Sequence, residues 1–284
     1  MRLKLLVFVL LAFALPAHAV DPTWIRAFPP FRIAGNLYYV GSEELAAFLI
    51  TTPQGDVLIN SNLTSSPAQI RQSVEKLGFR WSDIKILLIS HAHSDHAGGS
   101  AAILKQTHAK YEVMDGDVPL VASGGRSDFA LGRQKQYWFP SVHPDRILHD
   151  GDTVSLGGTV LTAHKTAGHT AGCTTWTMDV TEAGRTLHVV IVGSPNVLSS
   201  YKLVNNKAYP QIADDFRHQF EVLRALPCDI FLGAHAGYFG LKEKYARLQS
   251  GDKNAFVDPG GYQAFVAEKQ RDFESALGKQ SRKP

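Results

Sequence analysis

Cysteine is nearly missing from this chain: Cys173 and Cys228 are the only two among 284 residues. A disulfide framework is therefore excluded as the main source of stability, and a chain of this length buries enough core without one. An oxidising compartment permits a Cys173–Cys228 bond, but two thiols do not demand it. Charge of one sign is also lacking. Lys and Arg number 29 against 26 Asp and Glu, a formal net charge of +3. Nothing in that balance points to nucleic acid or an anionic membrane surface. No low-complexity tract, short repeat or Pro/Gly/Ser-rich linker interrupts the chain, so a single domain is expected over residues 20–284. After Leu15 no apolar run approaches the roughly 20 residues that a bilayer span needs.

The first 19 residues read differently from the rest. Arg2 and Lys4 give a positive start, Leu5 to Leu15 form an apolar run, and Ala17-His18-Ala19 is a small-x-small cleavage signal after Pro16. This is the pattern of a secretory signal peptide cut after Ala19. The apolar run is too short for an uncleaved membrane anchor. Removing it takes away Arg2 and Lys4 and lowers the formal charge from +3 to +1. An exported protein without a membrane span is expected, in the style of a bacterial periplasmic protein.

The remaining pattern alternates strands and helices. Leu37–Val40, Ala46–Thr51 and Val57–Asn60 read as strands, the last two joined by the turn at Pro53-Gln54-Gly55-Asp56. Ser66-Pro67 opens an amphipathic helix to about Leu77, with Ile70, Val74 and Leu77 on one face. The run IKILLIS (Ile84–Ser90) is continuously apolar apart from its lysine, as expected of a buried strand. Ala97–Thr107 reads as a helix and Tyr111–Met114 as a strand. Ser123–Asp150 is long and weakly patterned, and Tyr137–Phe139 within it is a candidate cleft wall, ordinary packing being the simpler reading. Thr153–Leu156 and Thr159–His164 flank Gly157-Gly158 as a hairpin. Cys173–Met178, Leu187–Val192 and Asp229–Leu232 are further strands, and Ile212–Leu226 and Tyr262–Leu277 are helices. This α/β pattern suggests two sheets packed together with helices outside.

The chemistry is concentrated in His91-Ala92-His93-Ser94-Asp95-His96, four candidate ligands in six residues. In an extended segment residues i and i+2 point the same way, so His91 and His93 can grip one ion. Asp95 and His96 lie one step further and can face a neighbouring ion. Imidazole and carboxylate suit zinc at about 2.0–2.2 Å. Gly98-Gly99 then lets a helix pack close behind the loop. His169, in Ala167-Gly168-His169-Thr170, and His235, in Gly233-Ala234-His235-Ala236-Gly237, occupy similar glycine-flanked turns at strand ends. Together these six give two zinc ions three protein ligands each and leave each a vacancy for water. The other histidines, His108, His143, His149, His164, His188 and His218, read as ordinary surface or core residues.

HxHxDH with Gly-Gly behind it, followed by TAGHT and a late GAHAG, resembles the metallo-β-lactamase superfamily across nearly the whole mature chain. Within it, the segments TAGHTAGCTTWTM (166–178), GSPNVLSSYKL (193–203), AYPQIADDFRH (208–218) and LPCDIFLGAHAG (226–237) resemble class B β-lactamases of the third subclass. The resemblance implies an αββα four-layer sandwich with the site at one edge of the sheets. It implies that His91, His93 and His169 bind one zinc, and that Asp95, His96 and His235 bind the other. It makes Tyr201 a candidate donor to a developing oxyanion, packing against its loop being the alternative. Many other superfamily hydrolases, thioesterases among them, carry a metal-bridging aspartate where this chain has Ser194. Two departures stand out. The serines with which some relatives hold the substrate carboxylate are replaced here by Pro195 and Val197, leaving Asn196, Ser199 or Ser200 as substitutes. The cysteine that several relatives pair with the Cys228 position is Tyr262 here, so that bridge is absent.

The expected activity is hydrolysis of the β-lactam amide bond, conferring β-lactam antibiotic resistance. Two zinc ions about 3.5–4 Å apart can share a water and lower its pKa towards roughly 7, which supplies hydroxide without a protein nucleophile. Asp95 would orient that water and shuttle a proton. The protein is expected to act as a monomer on a small-molecule substrate. Two alternatives carry less weight: a zinc hydrolase of lactones or thioesters on the same scaffold, and an exported zinc binder without catalysis.

Overall fold

The computed structural model describes residues 20–282. The leader expected over residues 1–19 lies outside them. The described chain builds two sheets. The first has seven strands in the order β1 (Phe31–Ala34), β2 (Leu37–Tyr39), β3 (Phe48–Thr52), β4 (Gly55–Ile59), β5 (Ile84–Leu88), β6 (Lys110–Met114) and β7 (Arg146–Leu148). Its first four strands pair antiparallel and its last four parallel. The second comprises β8 (Thr153–Leu156), β9 (Thr159–Lys165), β10 (Thr174–Glu182), β11 (Arg185–Val192) and β12 (Ile230–Gly233). Its order runs from β12 through β11, β10 and β9 to β8, with only the β11–β12 pair parallel.

The alternation of side chains along each strand explains the layers. Phe48 and Ile50 of β3, Val57 and Ile59 of β4, and Ile86 and Leu88 of β5 face Leu161, Ala163, Trp176 and Met178 of the second sheet in one core. Leu49, Leu58 and Leu87 point the other way, into a second core. That core is closed by α2 (Pro67–Lys76) and α4 (Ser100–Thr107) through Ile70, Val74 and Ile103. The strand in IKILLIS is apolar except at exposed Lys85, because both of its faces are otherwise covered. Across the molecule α6 (Ile212–Ala225) and α8 (Pro259–Ser281) cover the second sheet with Phe216, Phe220, Phe265 and Phe273. This is the expected helix–sheet–sheet–helix sandwich.

Several elements differ from the expectations. The segment read as one helix from Ala97 is broken at Gly98-Gly99 between α3 (Ser94–Ala97) and α4, and these glycines sit against neighbouring backbone. A Cβ on Gly98 would stand 2.3 Å from the Ser94 carbonyl, and one on Gly99 2.4 Å from that of Ser61. The weakly patterned Ser123–Asp150 segment contains β7, whose three residues are too few to show a period. Also unforeseen are β1, the short α1 (Pro22–Ile25) and α5 (Val118–Ser123), and α7 (Leu241–Gln249). The closing helix starts at Pro259, with Asp258 capping the Gly261 N–H, rather than at Tyr262. Both cysteines are free thiols. Phe139 packs in the second core, and Trp138 lies under the Arg126 guanidinium, so Tyr137–Phe139 is packing. Among the described residues no helix is long and apolar enough to cross a membrane.

Candidate metal centre

Parallel strands place their C-terminal ends, and the loops that follow, at one edge of a sheet. Here β5 delivers His91–His96, the β9–β10 connection delivers His169, and β12 delivers His235. The sheets are tied together at this edge. The Thr174 N–H donates to the Ser90 carbonyl at 2.7 Å, and the Ser90 N–H donates to Asn60 Oδ1 at 2.8 Å. The Ala46 N–H donates to the Ala234 carbonyl at 3.0 Å. The loops therefore start from fixed points on both sheets.

The six predicted ligands converge. The donor atoms of His91, His93 and His169 all lie within 4.8 Å of one another, as do those of His91, Asp95 and His96. His93 Nδ1 faces His169 Nε2 at 3.1 Å. His96 Nε2 faces His235 Nε2 at 3.2 Å, and Asp95 Oδ2 stands 3.2 Å from His96 Nε2 and 3.5 Å from His235 Nε2. His235 and Asp95 keep partial access to solvent, whereas His91, His93, His96 and His169 are buried.

The arrangement fits a pair of metal ions. Ligands about 2.0–2.1 Å from a tetrahedral zinc stand about 3.3 Å apart, close to the separations seen here. The inward nitrogens face one another, while the outward ones are mostly engaged in the way that orients metal-binding imidazoles. His169 Nδ1 donates to the Asn196 carbonyl at 2.8 Å. His93 Nε2 lies 3.2 Å from Asp128 Oδ2, and His91 Nδ1 3.3 Å from the Ser90 hydroxyl. His235 Nδ1 stands 3.5 Å from Glu44 Oε1. His96 is the exception: its Nδ1 is buried without a partner, and its ring is held by packing 4.3 Å from that of His91.

Metal binding requires neutral imidazoles and an ionised carboxylate. Burial, with neighbouring histidines adding to it, holds His91 well below its ordinary range and pushes His169 down to about 3. Burial works against Asp95, but His96 and His235 keep its carboxyl well below the usual carboxylate range. Burial also opposes the charge on His235, yet Asp95 and Glu44 outweigh it and raise that imidazole to about 9. An ion seated between His235 and Asp95 would replace the proton they share.

Tyr201 stands behind the ligands. It is 2% exposed, and its hydroxyl donates to the His169 carbonyl at 2.7 Å. The structure thus gives it a bracing position under His169, with its hydroxyl already committed. Asn196 Nδ2 is likewise engaged, donating to the Tyr238 hydroxyl at 2.7 Å, whereas Ser199 and Ser200 are exposed. Ser194, at the end of β11, contacts Tyr238 at 3.3 Å and brings no carboxylate.

The sequence reading missed Asp117, Asp128, Glu44, Tyr238 and Trp24. Asp128 accepts N–H groups from Ala130 and Leu131 in addition to meeting His93. The rings of Tyr238 and Trp24 lie 5.2 and 6.0 Å from that of His235. Single carboxylates and aromatics carry no spacing signal, so only the fold reveals them.

An αββα sandwich with a double ligand cluster at its sheet edge defines a class, and the chain belongs to it: the metallo-β-lactamase superfamily profile matches residues 46–235. Among solved structures, the chain is 54% identical to the native metallo-β-lactamase FEZ-1 from Legionella gormanii. That match covers 90% of this chain and 98% of that one, with a TM-score of 0.90. It is 36% identical to BJP-1, a subclass B3 metallo-β-lactamase of Bradyrhizobium japonicum, over 92% of this chain and 97% of that one, with a TM-score of 0.86. A metal-dependent hydrolase from Anaeromyxobacter dehalogenans is 32% identical over 130 residues, 45% of this chain. The alignment takes in only 42% of that relative's length.

Proposed function

We propose that this protein is an exported, monomeric zinc β-lactamase of the subclass B3 type, which hydrolyses the amide bond of β-lactams and confers resistance to them. The observation that carries the reading is the pairing of a three-histidine cluster with an Asp/His/His cluster at the sheet edge. Similarity to two metallo-β-lactamases over nine-tenths of the chain supports it. So does Ser194, which leaves the strand end without the carboxylate that other hydrolases of the fold use.

In this reading His91, His93 and His169 would hold one zinc ion, and Asp95, His96 and His235 the other. Zinc held by these residues would supply Lewis-acid chemistry, polarising the lactam carbonyl and lowering the pKa of a water towards about 7. Asp95 is the one carboxylate among the six, and it would orient the attacking water and pass a proton towards the leaving nitrogen. The buried histidines keep the first cluster dry on its protein side, which strengthens electrostatic effects within it. Ser199 and Ser200 are the free hydroxyls of the loop after β11 and are candidates for the substrate carboxylate. Tyr201 acts through His169. Residues 1–19 direct export to the periplasm and are removed, and residues 20–284 work as one domain.

The test is turnover of a penicillin, a cephalosporin and a carbapenem by the mature protein with zinc, with and without chelator. Chelator-sensitive hydrolysis is expected. A protein that loads zinc yet turns over none of the three rejects the β-lactamase reading, and parallel assays with lactones and thioesters then identify the alternative substrate.

A further inference from the structure

We infer that Asp117 is a positioning residue that sets the spacing of the two loops carrying His91, His93 and His169. It closes the turn after β6 and is 1% exposed. Its Oδ2 accepts the Ala92 N–H at 2.7 Å and the Thr170 hydroxyl at 2.9 Å. Its Oδ1 accepts the Gly172 N–H at 2.9 Å. Ala92 lies between His91 and His93, and Thr170 follows His169. One carboxylate thus gathers three donors from two loops that are otherwise far apart in sequence.

The junction has no slack. A Cβ on Gly172 would stand 2.3 Å from the Asp117 nitrogen, and one on Gly116 2.1 Å from the Ala171 carbonyl. The loops cannot drift inward, and the three hydrogen bonds stop them drifting outward. Asp117 is not itself a ligand: it belongs to neither cluster of donor atoms. Its reach is also one-sided. The Asp95/His96/His235 cluster is carried by α3 and by the loop after β12, and neither segment supplies a donor to Asp117. A buried charge must be matched by donors to be tolerated, and here every matching donor comes from the loops of one metal site.

Asp117→Asn puts an amide NH₂ against the Ala92 or Gly172 N–H and breaks the clamp while conserving shape. Stepwise zinc titration of the mature protein against a chromophoric chelator reads the two affinities, with His169 and His235 ring NMR signals assigning each step. The expected result is a loss at the three-histidine site of roughly 10- to 100-fold, the usual scale for groups that orient metal ligands, with the other site changed by less than threefold. A folded variant whose two affinities are unchanged, or weakened equally, overturns the inference. Should Asp117→Asn not fold, Thr170→Val removes a single donor. A several-fold loss confined to the three-histidine site supports the clamp, and an unchanged or uniform result overturns it. The inference rests on the metal-binding reading, and the wild type separates the two. No zinc bound by the wild type refutes that reading itself, whereas two ions bound and an indifferent variant refute only the clamp.

Discussion

His93 Nδ1 and His169 Nε2 face each other at 3.1 Å although 76 positions separate them in the chain. Two imidazole nitrogens turned towards one another share at most one proton, so the pair is arranged for a cation between them. Binding to the folded state alone stabilises by mass action, about 4 kcal/mol when free metal is a thousand times its dissociation constant. Thermal unfolding of the mature protein should therefore rise by several degrees with added zinc and fall back with chelator. A melting temperature indifferent to both argues against a preformed centre.

Asp128 meets His93 on the side away from His169. Asp128→Ala leaves that Nε2 without an acceptor and lets the ring turn. Zinc affinity at the three-histidine site should drop by roughly 10- to 100-fold, and Asp128→Asn, which keeps an acceptor, should recover most of it. Equilibrium dialysis of both variants measures this. Equal affinities for the Ala and Asn variants would dismiss the orienting role.

Tyr201 offers a direct choice between two roles. As a brace, its hydroxyl contributes a single hydrogen bond to the His169 carbonyl, so Tyr201→Phe costs about 1 kcal/mol of stability and only a few-fold in kcat. As an oxyanion donor its loss would cost about 100- to 1,000-fold. The bracing outcome is the one expected, and steady-state kinetics alongside denaturant unfolding tell the two apart.

Asp56 lies buried away from the centre, and burial pushes its carboxyl up to about 6 from an ordinary 3.8. The folded state then holds this proton more tightly than the unfolded chain, so the group favours unfolding as pH rises from about 4 through 6. Asp56→Asn removes that penalty. It should stabilise the protein at pH 7 by on the order of 1–2 kcal/mol, with the gain vanishing near pH 4. Melting curves of the two proteins across this range supply the comparison; a difference that does not vary with pH rules the account out.

Much of this was legible before any fold was known. The ligand types and their crowding in HAHSDH are local facts, and so are the strand before it and the glycines around His169 and His235. The buried run IKILLIS could be recognised because a strand covered on both faces is apolar at nearly every position, exposed Lys85 being the exception. Less visible were α3 and α4 as separate helices, since their break falls at Gly98-Gly99, where Gly99 meets the Ser61 backbone across space. The partner of the Tyr201 hydroxyl was also hidden, because its motif position is the same whatever that hydroxyl donates to.

The amino-acid order by itself determined that six side chains of metal-ligating type exist, that four of them follow one buried strand together, and that two sheets would form. Those are consequences of side-chain chemistry and of period, which are properties of neighbours along the chain. Only the tertiary structure decided which atoms meet: that His169 comes to His93, that His235 closes on Asp95 and His96, and that Asp117, Asp128 and Glu44 stand behind them. Such pairings are set by where loops land once two sheets have packed, and residues that meet only across space leave no regular spacing to be read.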